Sequence, residues 1–188
     1  MWKGEDTWLT MRELVRGETV PDERSTRVSF RMPPDKSTLV VAVKCFEPAM
    51  DKVRANTKYN DDFDIFEDDA VEIYIETPER SYFKIVVNSE GKIWDESQDV
   101  GIVARDTTPT LWNPGIKAVV KKEKDRWTAE IVIPTEDLGA LGPDKANPWG
   151  INVCRYRLAG NTPEDYALSP TGTGNFCVLS KLGDLRVE

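Results

Sequence analysis

Apolar and polar side chains alternate along several short stretches of this chain, most clearly between residues 70 and 76. There Val71, Ile73 and Ile75 fall on one side, and a glutamate, a tyrosine and a glutamate fall on the other. A period of two with β-branched residues is typical of a β-strand that buries one side. Such a strand needs sheet neighbours and a facing layer, so the pattern predicts a larger β-structure around it.

The same alternation, or a short apolar run, predicts strands at residues 24–31, 39–46, 82–87, 116–120, 126–134 and 149–155. The run Leu39–Phe46 is nearly continuous, which favours a central strand covered on both sides. Turn residues at 33–37 and 88–91 join neighbouring strands into two hairpins. Trp127 and Trp149 follow the strand alternation, so we expect both in the core.

Helical periodicity is nearly absent; a single turn is predicted at Thr135–Leu138. Seven or more short strands with long polar connections indicate an all-β fold, an antiparallel β-sandwich of the jelly-roll-like or immunoglobulin-like two-sheet kind. No Ser/Gly/Pro-rich linker and no repeat interrupts the sequence. We therefore expect one domain over residues 1–188, with residues 1–24 as a polar leading segment.

The charge of the chain limits its partners. Its 188 residues carry a net charge of -8, and nucleic acid and anionic membrane surfaces both require a cationic face. The sequence contains no run of eighteen apolar residues, so we expect no membrane insertion. An apolar signal core is also missing, so a secreted protein would have lost its signal or carry it in a longer parent chain.

Histidine is absent and cysteine occurs three times, at Cys45, Cys154 and Cys177, without a C-x-x-C pair. We therefore expect no zinc site and no nucleophile activated by an imidazole base. Haem ligation through methionine with histidine or lysine is disfavoured as well. The cysteines allow one disulfide with one thiol left over, or three packed thiols.

An acidic loop precedes the central strand, and its aspartates are Asp61, Asp62, Asp64, Asp68 and Asp69. Carboxylates at this density repel one another unless they are solvated, paired or bound to a cation. Hard oxygen ligands in a loop favour calcium over a transition metal. The alternatives are a solvated acidic loop and a loop stabilised by structural calcium.

Five segments in order resemble carbohydrate-binding module family 9 and its family 9-like relatives: EDDAVEIYIE (67–76), YFKIVVN (82–88), RWTAEIVIP (126–134), PWGINVCR (148–155), and GNF (174–176) with LGDLRV (182–187). The resemblance covers residues 24 to 188. It implies a β-sandwich with structural calcium, often attached to secreted hydrolases of plant polysaccharides. Members of the family bind the ends of glucan or xylan chains.

In that family two tryptophans hold the terminal sugar between them. The resemblance places Phe66 and Phe176 at those positions and Glu72 at the glutamate that hydrogen-bonds the sugar. An arginine that members can carry falls near Val86, so Lys84 or Arg155 would have to replace it. A phenyl ring offers less area than indole and no N–H donor, so affinity for a glucose-type end should drop or the preference should change.

Each of these residues also has an ordinary structural interpretation. Phe66 and Phe176 are equally suited to packing, and Glu72 to a solvated strand position. Arg155 either meets ligand hydroxyls or pairs with a carboxylate such as Glu72. Two tryptophans add ligand candidates: Trp94, which follows a hairpin turn, and Trp112, whose loop context suggests an exposed platform.

The function that these features favour is a non-catalytic carbohydrate-binding module for a neutral oligosaccharide or chain end. We expect it outside the cell, in the periplasm or at the cell surface, within a larger protein whose other domains are possible partners. The alternatives are a glycan-active hydrolase domain, which needs only a suitably spaced carboxylate pair, and a structural β-sandwich with a decayed sugar site.

Overall fold

The computed structural model describes residues 7–78, 81–99, 112–140 and 142–186. Within these ranges the chain forms β-strands and single turns of 3-10 helix, and no helix there is long and apolar enough to cross a membrane. The strands are β1 (Leu9–Thr10), β2 (Arg12–Glu13), β3 (Thr26–Arg31), β4 (Thr38–Phe46), β5 (Ala70–Glu76), β6 (Ser81–Asn88), β7 (Ile93–Asp99), β8 (Lys117–Lys122), β9 (Arg126–Pro134), β10 (Trp149–Arg157), β11 (Glu164–Ala167) and β12 (Gly183–Leu185). The 3-10 turns are Asp22–Arg24, Met50–Lys52, Phe63–Glu67, Thr135–Leu138 and Leu179–Lys181.

The strands form two antiparallel sheets. Five of them make one sheet in the order β1-β3-β4-β9-β8. The other sheet has the order β2-β11-β10-β5-β6-β7, and β12 pairs with the first half of β10. The prediction of an all-β antiparallel sandwich is therefore confirmed, and both predicted hairpins, β3-β4 and β6-β7, are present.

The core lies between the sheets and is built from the alternating apolar positions. Val71, Ile73 and Ile75 of β5 face inward and are fully buried. Trp127 and Trp149 are also fully buried, as the alternation predicts. The leading segment takes part as well, because β1 pairs with β3 and β2 pairs with β11.

Two strands differ from the prediction in what covers their outer sides. The outer side of strand β4 is covered only in part; Val40 there is 8 % exposed, while Ala42 and Lys44 remain partly exposed. Conversely, β5 is buried on both sides, since Tyr74 on its outer side is only 3 % exposed. The C-terminal segment covers it there, packing Phe176, Cys177, Leu179 and Leu182 over Tyr74 and its neighbours.

All three cysteines are free thiols. Cys45 and Cys154 are buried, and Cys177 is partly exposed. Burial raises the pKa of the Cys45 thiol to about 11, so that thiol stays neutral and unreactive at ordinary pH. Cys154 and Cys177 belong to the same apolar cluster under the C-terminal segment.

Candidate functional site

A cleft of about 340 Å³ opens on the outer side of the seven-stranded sheet. Strands β5, β6, β10 and β11, the 3-10 turn before β5 and the C-terminal segment all contribute to its wall. The lining residues are Phe66, Glu72, Tyr74, Lys84, Tyr156, Asp165, Gly174, Asn175 and Phe176. The cleft thus brings together Phe66, Glu72 and Phe176, which are more than a hundred positions apart at the extremes.

The floor of the cleft is a hydrogen-bonded carboxylate. Tyr74 lies two positions after Glu72 on β5 and is opposite Lys84 on β6. The Tyr74 hydroxyl donates to Glu72 Oε2, and the Lys84 ammonium lies 3.3 Å from the same oxygen. Glu72 is only 8 % exposed, and both its orientation and its charge are fixed by these two partners, so it is not a solvated strand glutamate.

Phe66 forms one wall through the 3-10 turn Phe63–Glu67. Ile65 is fully buried and anchors this turn, while the Asp62 carboxylate caps it by accepting from the Asp64 amide at 3.1 Å. The Phe66 ring packs edge-on against Trp94 at 5.0 Å between centroids. The Lys84 ammonium lies 4.2 Å from the centroid of the Phe66 ring, a cation–π contact that holds both side chains at the rim.

Phe176 forms a second wall through the C-terminal segment. Side-chain hydrogen bonds shape this segment locally; the Asn175 side-chain oxygen Oδ1 accepts from the Cys177 backbone amide at 2.9 Å. Gly172 adopts a positive φ of 76°, which a residue with a side chain would adopt only with strain. Packing of the neighbouring Cys177 and Leu179 over β5, β6 and β10 places the Phe176 ring at the cleft.

Asp165 and Tyr156 complete the lining from a cross-strand pair between β11 and β10. The Oδ1 atom of Asp165 is buried and has no hydrogen-bond partner among the residues that the structure describes. Burial, and then the negative charge of Glu72, raises the pKa of Asp165. This carboxyl oxygen therefore has hydrogen-bonding capacity that a ligand hydroxyl would satisfy.

The two tryptophan candidates do not line this cleft. Trp94 is 4 % exposed and supports Phe66 from behind. Trp112 does not form the exposed platform that its loop context predicts. Its indole N–H donates to the Asp137 carbonyl at 2.9 Å, and its ring packs against Phe83 on the core side of the same sheet.

Arg155 is fully buried between the sheets, so it is a structural residue rather than a cleft residue. Its carboxylate partner is Glu47, at 3.3 Å, and not Glu72 as considered from the sequence. The guanidinium also donates to the Phe46 carbonyl at 3.0 Å and to the Thr26 hydroxyl at 3.2 Å. Of the two cations considered as replacements for the missing arginine, only Lys84 lies in the cleft.

The five aspartates proposed as calcium ligands do not form one ligand set. Asp68 and Asp69 are fully buried, and N–H donors surround their carboxylates. Asp61 and Asp64 are exposed, and across the described ranges no group of three or more acidic or cysteine side chains is arranged to hold a metal ion. These residues do not fit a shared calcium ion, because the two buried carboxylates are engaged with loop N–H groups while Asp61 and Asp64 are exposed. Calcium binding stays a prediction.

Sequence reasoning missed five of the nine lining residues: Tyr74, Tyr156, Asp165, Gly174 and Asn175. Tyr74 had a usable signal, because alternation puts it on the same side as Glu72. No strand was predicted around Asp165, since β11 is only four residues long and its pairing with β10 is not visible in the sequence. The cleft as a whole combines aromatic rings with oriented carboxylates, an ammonium and an amide, which suits a ligand rich in hydroxyls and C–H faces.

No family model matches the chain, and no curated protein matches it. Several solved structures do match this chain. A protein of Bacteroides uniformis described as a "putative carbohydrate-binding protein" has a TM-score of 0.68 at 17 % identity, covering 95 % of this chain and 85 % of that one.

Two further matches are family 9 carbohydrate-binding modules of Caldicellulosiruptor kristjanssonii. The complex with glucose gives a TM-score of 0.63 at 15 % identity, covering 97 % of this chain and 84 % of that chain. The complex with cellotriose gives 0.61 at 14 %, covering 96 % and 82 %. The resemblance in fold that the sequence motifs predict is therefore confirmed.

Proposed function

We propose that this chain is a non-catalytic carbohydrate-binding module that binds a neutral oligosaccharide or the end of a polysaccharide chain in the cleft. The observation that carries the proposal is the convergence of Phe66, Phe176 and the hydrogen-bonded Glu72 on one cleft. The rings offer flat apolar faces to sugar C–H groups, and the carboxylate accepts from neighbouring hydroxyls. Lys84 takes the role of the missing arginine as a donor to the sugar.

The fold neighbours support the same proposal, since two of them hold glucose and cellotriose. We further propose that the chain lies outside the cell, in the periplasm or at the cell surface, within a larger protein that acts on or adheres to glycans.

We expect weak binding, from high-micromolar to millimolar. Each sugar hydrogen bond replaces one with water and contributes about 1 kcal/mol. Each ring contributes a similar amount, about 1 kcal/mol, by stacking. A few such contributions, less the cost of ordering the ligand, leave about -4 to -6 kcal/mol.

Titration calorimetry with a panel of neutral oligosaccharides tests the proposal. Phe66→Ala and Phe176→Ala should each lower the affinity for the best ligand by about fivefold or more, since each removes one stacking face. Phe46→Ala is the matched control, because Phe46 is a half-exposed phenylalanine on the outer side of the other sheet. Unchanged affinity in both cleft variants, with the fold intact, would contradict the proposed site.

The non-catalytic part of the proposal has its own test. Incubation with glucan, xylan and mannan should release no reducing ends above a blank, because Glu72 is already held by Tyr74 and Lys84 as an acceptor. Hydrolysis that disappears in Glu72→Gln or Asp165→Asn would instead make this cleft an active site and overturn the assignment.

A further inference from the structure

A second depression, of about 530 Å³, lies on the outer side of the five-stranded sheet, away from the cleft. The outward side chains of β3, β4, β9 and β8 form its floor, and Trp8, just before β1, closes one end. Ser29 and Ala42 lie opposite each other in the middle, and these small side chains leave the space open. This is the side of β4 that the sequence pattern predicts to be covered.

The strand register places the cations in and beside this trough in two rows. Arg31, Lys44 and Lys121 line the trough, while Arg27 and Lys117 lie outside its lining, and Arg27 pairs with Asp22 at 3.6 Å. Arg27, Lys44, Thr128 and Lys121 are cross-strand neighbours and form the first row. Arg31, Val40, Val132 and Lys117 form the second row, four residues further along the strands. Four residues of β-strand put the rows about 13 Å apart, and adjacent strands are about 4.8 Å apart. Glu130 is the acidic residue among those that line the trough.

The trough is therefore cationic in a protein whose net charge is -8. Lys44 is half-exposed, and its ammonium lies 3.8 Å from the centre of the Trp8 ring. Lys121 is largely exposed and shares its charge with Glu123 at 3.0 Å. A local cationic face of this kind attracts an anionic ligand although the whole molecule is acidic.

We propose that this trough is a second binding site, specific for an acidic polysaccharide whose sugar units carry carboxylates. A uronic acid polymer combines one carboxylate per ring with apolar C–H faces. Its carboxylates fit the rows of lysine and arginine, and its rings fit the small and apolar floor around Ala42 and beside Trp8. The inference is separate from the neutral-sugar cleft, with which it shares no lining residue.

Other polyanions fit less well. Nucleic acid has one charge for about every 1.7 Å of duplex and would meet the acidic remainder of the surface. A bilayer is flat and does not reach the recessed floor at Ser29 and Ala42. A linear glycan is narrow enough to enter the trough, and it needs only the few cations that are present.

Affinity electrophoresis and calorimetry with polygalacturonate test the proposal, and carboxyl-reduced polygalacturonate serves as the uncharged control polymer. We expect polygalacturonate to bind more tightly than the reduced polymer, which can occupy only the neutral-sugar cleft. Raising the salt from 0.05 to 0.3 M should weaken polygalacturonate binding because the charges are exposed. Lys44→Glu with Lys121→Glu should weaken it about tenfold or more, since two attractive pairs become repulsive. Glu130→Gln should tighten it. Lys52→Glu with Lys58→Glu, two exposed lysines outside the trough, is the charge-matched control.

Binding that falls as much in the Lys52→Glu, Lys58→Glu control as in the trough variant would show general electrostatic attraction and overturn the site. Binding that survives Lys44→Glu with Lys121→Glu would overturn it as well. Stronger binding to single-stranded RNA or to anionic phosphatidylserine vesicles than to polygalacturonate would overturn the ligand class. Phe66→Ala and Phe176→Ala should leave polygalacturonate binding intact. Loss of polygalacturonate binding in those two variants would assign it to the cleft and overturn the second site, whatever their effect on neutral sugars.

Discussion

Phe63 is the most exposed residue of the aromatic group beside the cleft. It precedes Phe66 by three positions, and the 3-10 geometry puts both rings on the same side of the turn. Their centroids are 5.1 Å apart, while 69 % of Phe63 remains exposed. An exposed ring next to a ring that lines the cleft extends the apolar surface outward, beyond the space for one sugar unit.

Phe63→Ala should therefore weaken the binding of long ligands and leave the binding of short ligands unchanged. We expect the affinity for a neutral trisaccharide or longer chain to fall about threefold to tenfold, because one stacking contact is lost. The affinity for the corresponding monosaccharide should stay the same. Calorimetry with a ligand length series measures both, and an equal loss for all lengths would place Phe63 inside the primary subsite.

At the scale of elements, two buried aspartates hold the loops around β5 together. The Asp69 carboxylate accepts from the Arg54 amide at 2.8 Å and from the Leu158 amide at 2.9 Å. The Asp68 carboxylate accepts from the Asn56 amide at 2.6 Å and from the Asn88 side chain at 2.9 Å. These bonds join the connection after β4, the β6-β7 turn and the end of β10 to the start of β5.

Asp68→Asn and Asp69→Asn should each lower the free energy of unfolding by about 2 kcal/mol, because an amide NH₂ would then face backbone N–H donors. Asp64→Asn, at an exposed position of the same acidic loop, is the control and should change it little. Chemical denaturation measures the three variants. If Asp68→Asn and Asp69→Asn change the free energy of unfolding as little as Asp64→Asn does, the buried carboxylates do not stabilise these loops.

Calcium is tested beside those variants, by metal analysis and by melting with and without chelator. Binding to the folded state alone raises the melting temperature in calcium. A rise that persists in Asp68→Asn and Asp69→Asn would show that the ion uses other ligands. An unchanged melting temperature and no bound metal would contradict the calcium prediction.

The sequence predicts the long strands well, because burial of one side imposes a period of two. Strand β9 was predicted at residues 126–134, where the structure has Arg126–Pro134. It does not predict β1, β2 and β11, which are two to four residues long and too short to show a period. Pairing with distant partners defines these strands, and local pattern does not record that pairing.

The cleft was predicted to the extent that its residues alternate on β5 or match the family motifs. Glu72 alternates on β5 and is also placed by the family resemblance, while Phe66 and Phe176 are placed by the resemblance alone. Trp112 meets neither condition. Its loop context gives no sign that the indole hydrogen-bonds the Asp137 carbonyl and packs inward. Asp165 was missed because its neighbour Glu72 is 93 positions away in the chain and is brought near only by the sheet.

At the scale of the whole molecule, a buried ionic cluster connects the two sheets. Arg155 and Arg157 of β10 both contact Glu47, which directly follows β4 of the other sheet. Arg157 is bidentate, with Nε and Nη2 at 2.7 and 2.8 Å from the two Glu47 oxygens. Glu47 and Arg155 are fully buried, so the cluster stabilises the fold only while all of its members are charged.

This cluster makes the stability of the protein sensitive to acid. Burial by itself raises the pKa of Glu47, but hydrogen bonds from Arg157 and from the Ala49 amide outweigh it and hold the pKa below its ordinary value. A carboxyl whose pKa is lower in the folded state stabilises the fold above the unfolded-state pKa and loses that contribution as the pH falls. The loss should begin near the ordinary glutamate pKa of about 4.3 and continue below it.

Glu47→Gln should lower the free energy of unfolding at pH 7 by about 3–5 kcal/mol, because it leaves the buried Arg155 guanidinium without its anion and leaves Arg157 with only the partly exposed Glu164. The difference from the unsubstituted protein should shrink toward pH 3, as protonation of Glu47 imposes the same loss on both. Glu164→Gln is the control; Glu164 also pairs with Arg157 but is partly exposed, so its loss should be smaller. Urea denaturation at pH 7, 5 and 3 measures all three proteins. A difference between Glu47→Gln and the unsubstituted protein that stays constant over this range would show that the cluster acts through packing and not through the Glu47 charge.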